Sequence, residues 1–421
     1  MVVCTNPLTD LPGARHQTSG PAIWRAPGRV AAPTRPAASL SLAFFLMPAV
    51  GIPKEAAPGE SRVAIVPQSV GRLIDMDWEV LVESGAGAAA GFPDADYIEA
   101  GAKVANAAAV EAADVVLVVG PPDAAFVGRL SEGAVLAGFL DPYLDKDLMA
   151  ACVARKVTAI AVEAIPRTTL AQSMDALSSQ TNIAGYAAVL TAAQAAPKLM
   201  PMMVTAAGTI APARALILGV GVAGLQAIAT ARRLGAVVHA YDIRPETAEQ
   251  VESLGAKFVA APTASADAGG YAVEVEADTQ ARQHEALAPY VAEADIIVTT
   301  AQIPGRPAPL LVTNEMVDSM HAGAVIVDMA AATGGNVEPS QPDKVVDVGG
   351  VHIHGPTNLA SAMPGDASRM YSRNLVVMLT RLHEEGQENL QEDAIFGEAA
   401  VVVRGEPHHP RTRALLGLED A

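Results

Sequence analysis

Residues 215–242 read ALILGVGVAGLQAIATARRLGAVVHAYD. The run predicts an apolar strand over residues 215–218, a glycine-rich turn, a helix over residues 225–234 and a second strand that ends in Asp242. A Gly-x-Gly-x-x-Gly turn between strand and helix, with an acid about 20 residues further on, is typical of dinucleotide sites. The sequence therefore predicts a nucleotide site. An ordinary β-α-β unit without a ligand is the alternative.

The three glycines of the turn have separate predicted roles. Gly219 gives the tight turn, Gly221 lets the backbone approach a pyrophosphate, and Gly224 allows the helix to pack closely on the strand. The free N–H groups and the positive dipole end of the helix would face the phosphates. Asp242 would bond both hydroxyls of an adenosine ribose, which favours NAD over NADP.

Composition restricts the partners that the chain can have. Its 421 residues predict two domains, each with its own core. The net charge of −18 disfavours nucleic acid and anionic lipid surfaces as partners. The two cysteines, Cys4 and Cys152, are too far apart in sequence to suggest a disulfide framework, so a reducing compartment is expected. The nine histidines show no metal-ligand spacing, and we expect no metal.

The N-terminal segment differs from the rest of the chain. Residues 1–46 are rich in arginine, proline and alanine, and they end in an apolar run. We predict that residues 1–46 are an N-terminal extension that is disordered or that results from a start codon assigned too far upstream. Globular sequence would begin at Met47, and a targeting leader is the alternative. The longest apolar stretch, residues 40–50, is shorter than the roughly 20 residues that a bilayer requires, which predicts a soluble chain.

The remaining sequence alternates short apolar runs with helical stretches. This pattern predicts an α/β fold with two Rossmann-like, doubly wound parallel-sheet domains, separated by a cleft and linked by long helices at 182–195 and 367–382. The first domain would comprise residues 47–180 and about 366–421, and the Rossmann domain residues 181–365. The predicted strands lie at 63–67, 79–84, 113–120, 134–140, 157–165, 215–218, 236–242, 294–301, 324–330 and in the pieces near 344–354. The nucleotide would face the cleft.

Residues 262–280 lack periodicity and are too long for an ordinary connection. They predict either a mobile loop that closes over a site or a solvated insertion.

Four stretches resemble the NAD(H)-binding domain of proton-translocating NAD(P) transhydrogenase, its α subunit. Some of these stretches are shared with the related alanine dehydrogenases, and the resemblance covers essentially everything after Met47. The stretches are PRTTLAQSMDALSSQTNIAGYAAVL (166–190), PMMVTAAGTIAPARALILGVGVAGLQAIATARRLGA (201–236), RPETAEQVESLGAKF (244–258) and TTAQIPGRPAPLLVTNEMV (299–317).

The resemblance implies a loop above the nicotinamide that is built from arginine, glutamine and aspartate. Arg167 and Asp175 would form an ion pair that shapes this loop, and Asp175 and Ser178 would hold the nicotinamide carboxamide. Gln172 would reach toward a second nucleotide on a partner subunit. A helix start is the alternative interpretation, in which Asp175 and Ser178 are capping residues and Arg167 is a solvated surface group.

The resemblance also implies a mobile loop whose tyrosine folds toward the bound nucleotide. The cofactor-binding residues predicted from the motif and the resemblance together are Gly219, Val220, Gly221, Val222, Ala223, Gly224, Asp242, Ile243, Arg244, Gly270, Tyr271, Thr300 and Ala301.

Chemistry separates the two related enzyme classes. Oxidation of an amine or alcohol releases a proton, so it needs a general base and a cation for the substrate carboxylate; hydride transfer between nicotinamides releases none. Alanine dehydrogenases carry a lysine and a histidine in first-domain stretches that correspond here to LVVGPP (117–122) and GFLDPYLD (138–145), which contain neither. The basic residue that transhydrogenases usually keep near Val118 is also missing. Arg62, which both families share, is either an anion contact or part of an ion pair.

The expected function is direct hydride transfer between NADH and NADP+ bound on another polypeptide, coupled to proton translocation by membrane subunits. The implied partners are an NADP(H)-binding β subunit, a membrane-spanning subunit and a second copy of this chain. The implied location is cytoplasmic, at the inner membrane through those partners, and the chain alone would be catalytically incomplete. The alternatives are an alanine dehydrogenase-like enzyme and an NAD-binding sensor or scaffold.

Overall fold

The structure is a computed structural model that describes residues 48–260, 277–303, 306–386 and 389–418. Met47–Ala421 form one compact unit. The predicted N-terminal extension and most of the predicted mobile loop, including Gly270 and Tyr271, lie outside the described residues.

Short strands and helices alternate along the chain. The strands are β1 (Ala49–Ile52), β2 (Glu79–Glu83), β3 (Lys103–Ala105), β4 (Val115–Leu117), β5 (Val135–Gly138), β6 (Thr158–Ala161), β7 (Met203–Thr205), β8 (Gly208–Ile210), β9 (Arg214–Leu218), β10 (Val237–Tyr241), β11 (Lys257–Phe258), β12 (Ile296–Thr299), β13 (Val325–Asp328), β14 (Val345–Val348), β15 (Val351–His354), β16 (Ala400–Val403) and β17 (Glu406–Pro407). The helices are α1 (Pro67–Ile74), α2 (Asp94–Glu99), α3 (Ala107–Glu111), α4 (Ala124–Arg129), α5 (Lys146–Ala154), α6 (Ala176–Ala195), α7 (Val222–Arg233), α8 (Thr247–Ser253), α9 (Ala277–Glu293), α10 (Asn314–Asp318), α11 (Pro364–Glu385), α12 (Phe396–Ala399) and α13 (Pro410–Leu415).

Two sheets organise the described residues. The first has the order β17-β16-β6-β5-β4-β1-β2-β3, and the second has the order β11-β10-β9-β12-β13-β15-β14. The strands β1 to β6 run parallel, as do β9 to β13 and β15, while β14, β16 and β17 pair antiparallel. The predicted α/β class with two parallel-dominant sheets is confirmed.

The central strands are buried along their whole length and are mostly apolar, because both of their faces are covered. Every residue of β5, β6, β12 and β13 is buried. A strand covered by helices on both faces loses the alternation of apolar and polar residues that a half-exposed strand shows. The continuous apolar runs in the sequence are the direct result.

The prediction of a strand at residues 63–67 was wrong. Val63 and Val66 are buried, but their backbone N–H groups donate to the Ser368 and Ser372 hydroxyls of α11 rather than to a neighbouring strand. Pro67 then begins α1, where its missing N–H costs nothing. Burial of this apolar run therefore did not require a sheet, because side chains accept from two of its backbone N–H groups.

Two long helices connect the sheets. Helix α6 follows the first sheet and precedes the second, and α11 leads from the second sheet back to β16 in the first. The two helices pack against each other, and both extend beyond the predicted limits of 182–195 and 367–382. The boundaries of the two predicted domains remain a proposal.

A two-stranded hairpin of β7 and β8 was not predicted. Its strands are exposed throughout, and Met202, Val204 and Ile210 present apolar side chains to solvent. No helix in the described part of the chain is long and apolar enough to cross a membrane.

Candidate functional site

The candidate site lies where two central strands of the second sheet end. The chain passes from β9 to its neighbour β10 on one side, whereas β12 lies on the other side of β9. Such a reversal of strand order opens a crevice at the carboxyl ends of the strands. The loops after β9 and β12 meet there, since the Thr300 N–H donates to the Leu218 carbonyl at 2.7 Å and the Thr300 hydroxyl to that of Gly219 at 3.0 Å.

The three glycines after β9 occupy very different surroundings. Gly219 has a φ of +96°, and a Cβ there would lie 2.6 Å from the Thr300 hydroxyl. A Cβ on Gly224 would lie 1.9 Å from the Gly219 carbonyl oxygen, so this position sets how closely α7 packs on the turn. A Cβ on Gly221, in contrast, would meet no atom of the described residues within 4 Å. Gly221 therefore borders open space in which a ligand can approach the backbone.

Helix α7 points its N-terminus at that space. Gly221 is the N-cap and brings no side chain, so the N–H groups of the first turn at Val222 and Ala223 are left for a ligand. The helix of twelve residues adds the positive end of its dipole. This combination suits a phosphate group.

Asp242 follows β10 at the same edge and is almost fully buried, with 7% of its surface exposed. Its Oδ2 accepts from the Val220 N–H at 2.7 Å and from Arg244 Nη2 at 3.0 Å. Its Oδ1 accepts from the Arg244 N–H and Nε, both at 2.9 Å. The carboxylate is thus tied both to the glycine turn and to the arginine two residues later.

A cavity of about 610 Å³ joins these groups. Its volume is within the usual range for small-molecule and cofactor sites. The predicted residues that line it are Arg167, Ser178, Gly219, Gly221, Val222, Ala223, Asp242, Ile243, Arg244, Thr300 and Ala301. Those outside its lining are Gln172, Asp175, Val220 and Gly224, although Val220 binds Asp242 and Gly224 supports the turn.

The predicted loop between β6 and α6 reaches the same cavity from the other side. Asp175 is the N-cap of α6: its Oδ1 accepts from the Ser178 N–H at 2.8 Å and its Oδ2 from the Ser178 hydroxyl at 2.6 Å. The helix-start interpretation therefore describes the local geometry. It does not exclude a site, because Arg167 and Ser178 both line the cavity. Gln172 is exposed in a short 3₁₀ turn, and the ion pair between Arg167 and Asp175 stays a prediction.

Helix α6 also contacts the glycine turn directly. A Cβ on Gly185 would lie 2.2 Å from the Ala223 carbonyl oxygen, so α6 and the first turn of α7 touch backbone to backbone. The helix that follows the N-cap Asp175 is therefore packed against the helix whose N-terminus faces the open space at Gly221. Sequence reasoning did not find this contact, because a glycine within a helical pattern gives no sign of its partner.

Sequence reasoning also missed several polar residues of the cavity wall. Gln283 is buried, with 2% of its surface exposed, and Arg306 adds a third arginine to the lining. Arg306 falls within one of the stretches that carry the resemblance, but nothing in its local pattern distinguishes it from a surface arginine. The lining also contains the polar residues Thr181, Tyr241, Gln280, Gln302 and Thr333.

Comparison with known proteins establishes the family. The model described as "Alanine dehydrogenase/PNT, N-terminal domain" matches residues 51–184, and the one described as "Alanine dehydrogenase/PNT, C-terminal domain" matches residues 188–410. The chain belongs to the alanine dehydrogenase/PNT family.

Within the alanine dehydrogenase/PNT family, sequence identity favours the transhydrogenases. The chain is 48% identical to the first of the parts that make up the NAD(P) transhydrogenase subunit alpha of Rhodospirillum rubrum, over 79% of this chain and 89% of that protein. It is 46% identical to the protein of the same name from Rickettsia prowazekii, over 81% and 91%. It is 28% identical to alanine dehydrogenase of Halomonas elongata, over 88% and 97%. The predicted resemblance to the transhydrogenase α subunit is confirmed.

Solved structures of the alanine dehydrogenase/PNT family share the fold in both classes. A transhydrogenase from Sinorhizobium meliloti matches with a TM-score of 0.76 and 44% identity, covering 86% of this chain and 99% of that one. An L-alanine dehydrogenase matches with a TM-score of 0.75 and 28% identity, covering 88% and 99%. The fold is therefore common to the two classes, and side chains must separate them.

Two buried carboxyl groups hold loops at the carboxyl edge of the first sheet. Glu55 accepts from the Val119 N–H at 2.6 Å, and Glu163 accepts from the Leu140 N–H at 2.8 Å. Burial raises the pKa of both Glu55 and Glu163 to about 7. The loops that follow β4 and β5 are thus held by carboxyls.

Arg62 is used structurally. Its guanidinium pairs with Glu60 at 2.6 Å and donates to Gln180 at 3.0 Å, and 9% of the arginine side chain is exposed. Burial alone would raise the pKa of Glu60, but the hydrogen bonds and charge of Arg62 lower it to about 2. Of the two predicted uses of Arg62, the ion pair is the one that the structure contains.

The described residues contain no group of three or more His, Cys, Asp or Glu side chains that could hold a metal ion.

Proposed function

We propose that this chain is the NAD(H)-binding subunit of a proton-translocating NAD(P) transhydrogenase and exchanges hydride directly with NADP(H) on a partner subunit. The observation that carries the proposal is the cavity that the glycine turn, Asp242, Arg167 and Ser178 line together. The similarity to proteins that are named transhydrogenase α subunits supports the same activity.

The residues that line the cavity fit NAD(H) as the cofactor. The open space at Gly221 and the N-terminus of α7 suit the pyrophosphate. Asp242 would bond the adenosine ribose, as an acid at this position does in other dinucleotide folds. The nicotinamide would then extend toward Arg167 and Ser178, on the α6 side of the cavity.

Gln172 would act across the interface with the NADP(H)-binding partner. Its side chain is exposed beside the cavity residues of the loop and outside the cavity lining. Gln172 would therefore contact the second nucleotide rather than the first. Together with Asp175, Ser178 and Arg167 it would fix the relative position of the two rings.

Hydride transfer between two nicotinamides requires positioning more than acid–base chemistry. One C4–H bond breaks as the other forms, the electron pair moves with the hydrogen, and no proton is released to a base. Holding the reacting carbons in contact converts a bimolecular step into an effectively unimolecular one, worth about 7–11 kcal/mol in favourable cases. The subunit would contribute the NADH half of that alignment and exclude water.

The proposed partners are an NADP(H)-binding β subunit, a membrane-spanning subunit and a second copy of this chain. Membrane subunits would couple the transfer to proton translocation and hold this subunit at the cytoplasmic face of the inner membrane. The exposed β7–β8 hairpin supports the homodimer, since Met202, Val204 and Ile210 present apolar surface that a partner copy would cover.

The test mixes the chain with a candidate NADP(H)-binding partner, NADPH and the acetylpyridine analogue of NAD+. Rapid reduction of the analogue that requires both proteins is the expected result. NADH formation from NAD+ and L-alanine by this chain alone would instead establish an alanine dehydrogenase-like enzyme. Nucleotide binding without either reaction, in the presence of a partner that is active with another α subunit, would favour a sensor or scaffold.

A further inference from the structure

Arg244 encloses the carboxylate that faces the adenosine ribose site. Its Nε donates to Oδ1 of Asp242 at 2.9 Å and its Nη2 to Oδ2 at 3.0 Å. The guanidinium thus binds both carboxylate oxygens in a side-on, bidentate arrangement. The pair is shielded from solvent, with 20% of the arginine side chain and 7% of the aspartate side chain exposed. Bidentate pairs of this kind are among the stronger charge-assisted contacts.

The protein itself fills the acceptor capacity of this carboxylate. An ionised carboxylate offers about four acceptor positions. Here Val220 N–H and three donors from Arg244 take four hydrogen bonds. A ribose can bond the carboxylate only if a guanidinium contact yields, because the two backbone donors belong to the turn and the strand end.

We propose that the Asp242–Arg244 pair, rather than Asp242 alone, sets the preference for NAD(H) over NADP(H): Asp242 repels a 2′-phosphate and also restrains the arginine that would otherwise bind one. This inference rests on the proposed dinucleotide site. The uncharged ribose of NAD(H) needs to displace only some of the hydrogen bonds from the Arg244 guanidinium to Asp242, and the arginine can stay beside the acid.

A 2′-phosphate meets two obstacles at the pair. A phosphomonoester carries a charge of about −1.5 to −2 at neutral pH, which opposes the charge of Asp242. Recruiting Arg244 to the phosphate would leave Asp242 buried without its main counter-charge, and such an uncompensated charge is strongly unfavourable. Glu246, whose charge also acts on Arg244, adds to the repulsion.

The decisive variants separate the acid from the arginine. Asp242→Asn can keep an oxygen for the Val220 N–H while it removes the charge that holds Arg244. Asp242→Ser provides a second, smaller replacement if the asparagine variant does not fold. Arg244→Gln and the double variant Asp242→Asn/Arg244→Gln remove the cation, and Asp318→Asn at the exposed end of α10 is the matched charge control.

The experiment measures equilibrium dissociation constants of NADH and NADPH by nicotinamide fluorescence on the full chain. Asp242→Asn or Asp242→Ser is expected to weaken NADH binding and to strengthen NADPH binding by about tenfold or more, the size of one charge-assisted hydrogen bond. The double variant is expected to lose that gain, and the control should resemble the unaltered chain.

Two results would overturn the inference while leaving the proposed function intact. One is NADH binding to the unaltered chain with no gain of NADPH affinity in either Asp242 variant. The other is a gain that persists in the double variant, which would assign the phosphate to another cation such as Arg306. Failure of the unaltered chain to bind NADH would overturn the proposed function and this inference together.

Discussion

Two glycines three residues apart separate nucleotide binding from stability. For Gly221→Ala, φ is −81° and the new methyl group would enter open space. Replacing glycine by alanine stabilises the folded state by about 0.4–1 kcal/mol, because it reduces the conformational entropy of the unfolded chain. Alanine is a poorer N-cap than glycine by a similar amount. We therefore expect the free energy of unfolding to change by less than about 0.5 kcal/mol.

The same methyl group occupies the space proposed for the pyrophosphate. Loss of one charge-assisted hydrogen bond to a phosphate costs about 1.5–3 kcal/mol. Gly221→Ala should therefore weaken NADH binding by about 10- to 100-fold.

Gly224→Ala should behave in the opposite way. A Cβ there would lie 1.9 Å from the Gly219 carbonyl oxygen, where real Cβ contacts stay beyond 3.0 Å. Backbone must move by about 1 Å, and overpacking of this kind costs about 3 kcal/mol or more, which exceeds the helix-propensity gain of about 1 kcal/mol.

The assay is urea unfolding together with NADH titration on both variants and the unaltered chain. Unchanged NADH affinity in Gly221→Ala would refute the assignment of that space to the cofactor. Unchanged stability in Gly224→Ala would refute the packing argument.

Three further predictions concern the interface, the helix contact and pH. Gln172→Asn should slow hydride transfer in the assembled complex by about tenfold or more through lost alignment, while NADH affinity stays within about twofold; a large affinity loss in a binding titration would contradict its role. Gly185→Ala should lower both the urea midpoint and NADH affinity, because its Cβ would lie 2.2 Å from the Ala223 carbonyl oxygen; an unchanged midpoint would show that α6 can shift freely. Burial raises the pKa of Glu55 and Glu163 from 4.5 to about 7, so the folded state binds more protons in that range and the free energy of unfolding should fall as pH rises through it. The loss is at most about 3 kcal/mol for each carboxyl, and urea midpoints should show a smaller decline in the corresponding glutamine variants; equal declines would contradict the assignment.

The sequence predicted those features that repeat a local chemical requirement. The strand, turn and helix around Gly219, Gly221 and Gly224 could be predicted because Gly219 needs a positive φ and Gly224 has no room for a Cβ, while Gly221 leaves space beside the turn. The buried strands of both sheets could be predicted because helices cover both of their faces, which makes their sequences continuous apolar runs.

Features that depend on residues distant in sequence could not be predicted. Residues 63–67 resemble a strand, but hydroxyls about 300 residues away accept from the backbone N–H groups of Val63 and Val66. The contact of Gly185 with Ala223 and the lining role of Arg306 likewise depend on elements that meet only in the folded chain. The hairpin of β7 and β8 lacks a buried face, so it gave no periodic signal.

Isotopic labelling distinguishes direct hydride transfer between the two nucleotides from exchange through water. NADPH deuterated at both C4 positions is mixed with the acetylpyridine analogue of NAD+, this chain and its NADP(H)-binding partner in ordinary water, and the reduced analogue is analysed by mass spectrometry. Direct transfer predicts one deuterium in every product molecule and no product when either protein is omitted. Product formed without deuterium, or formed by this chain in the absence of the partner, would contradict direct transfer between two subunits.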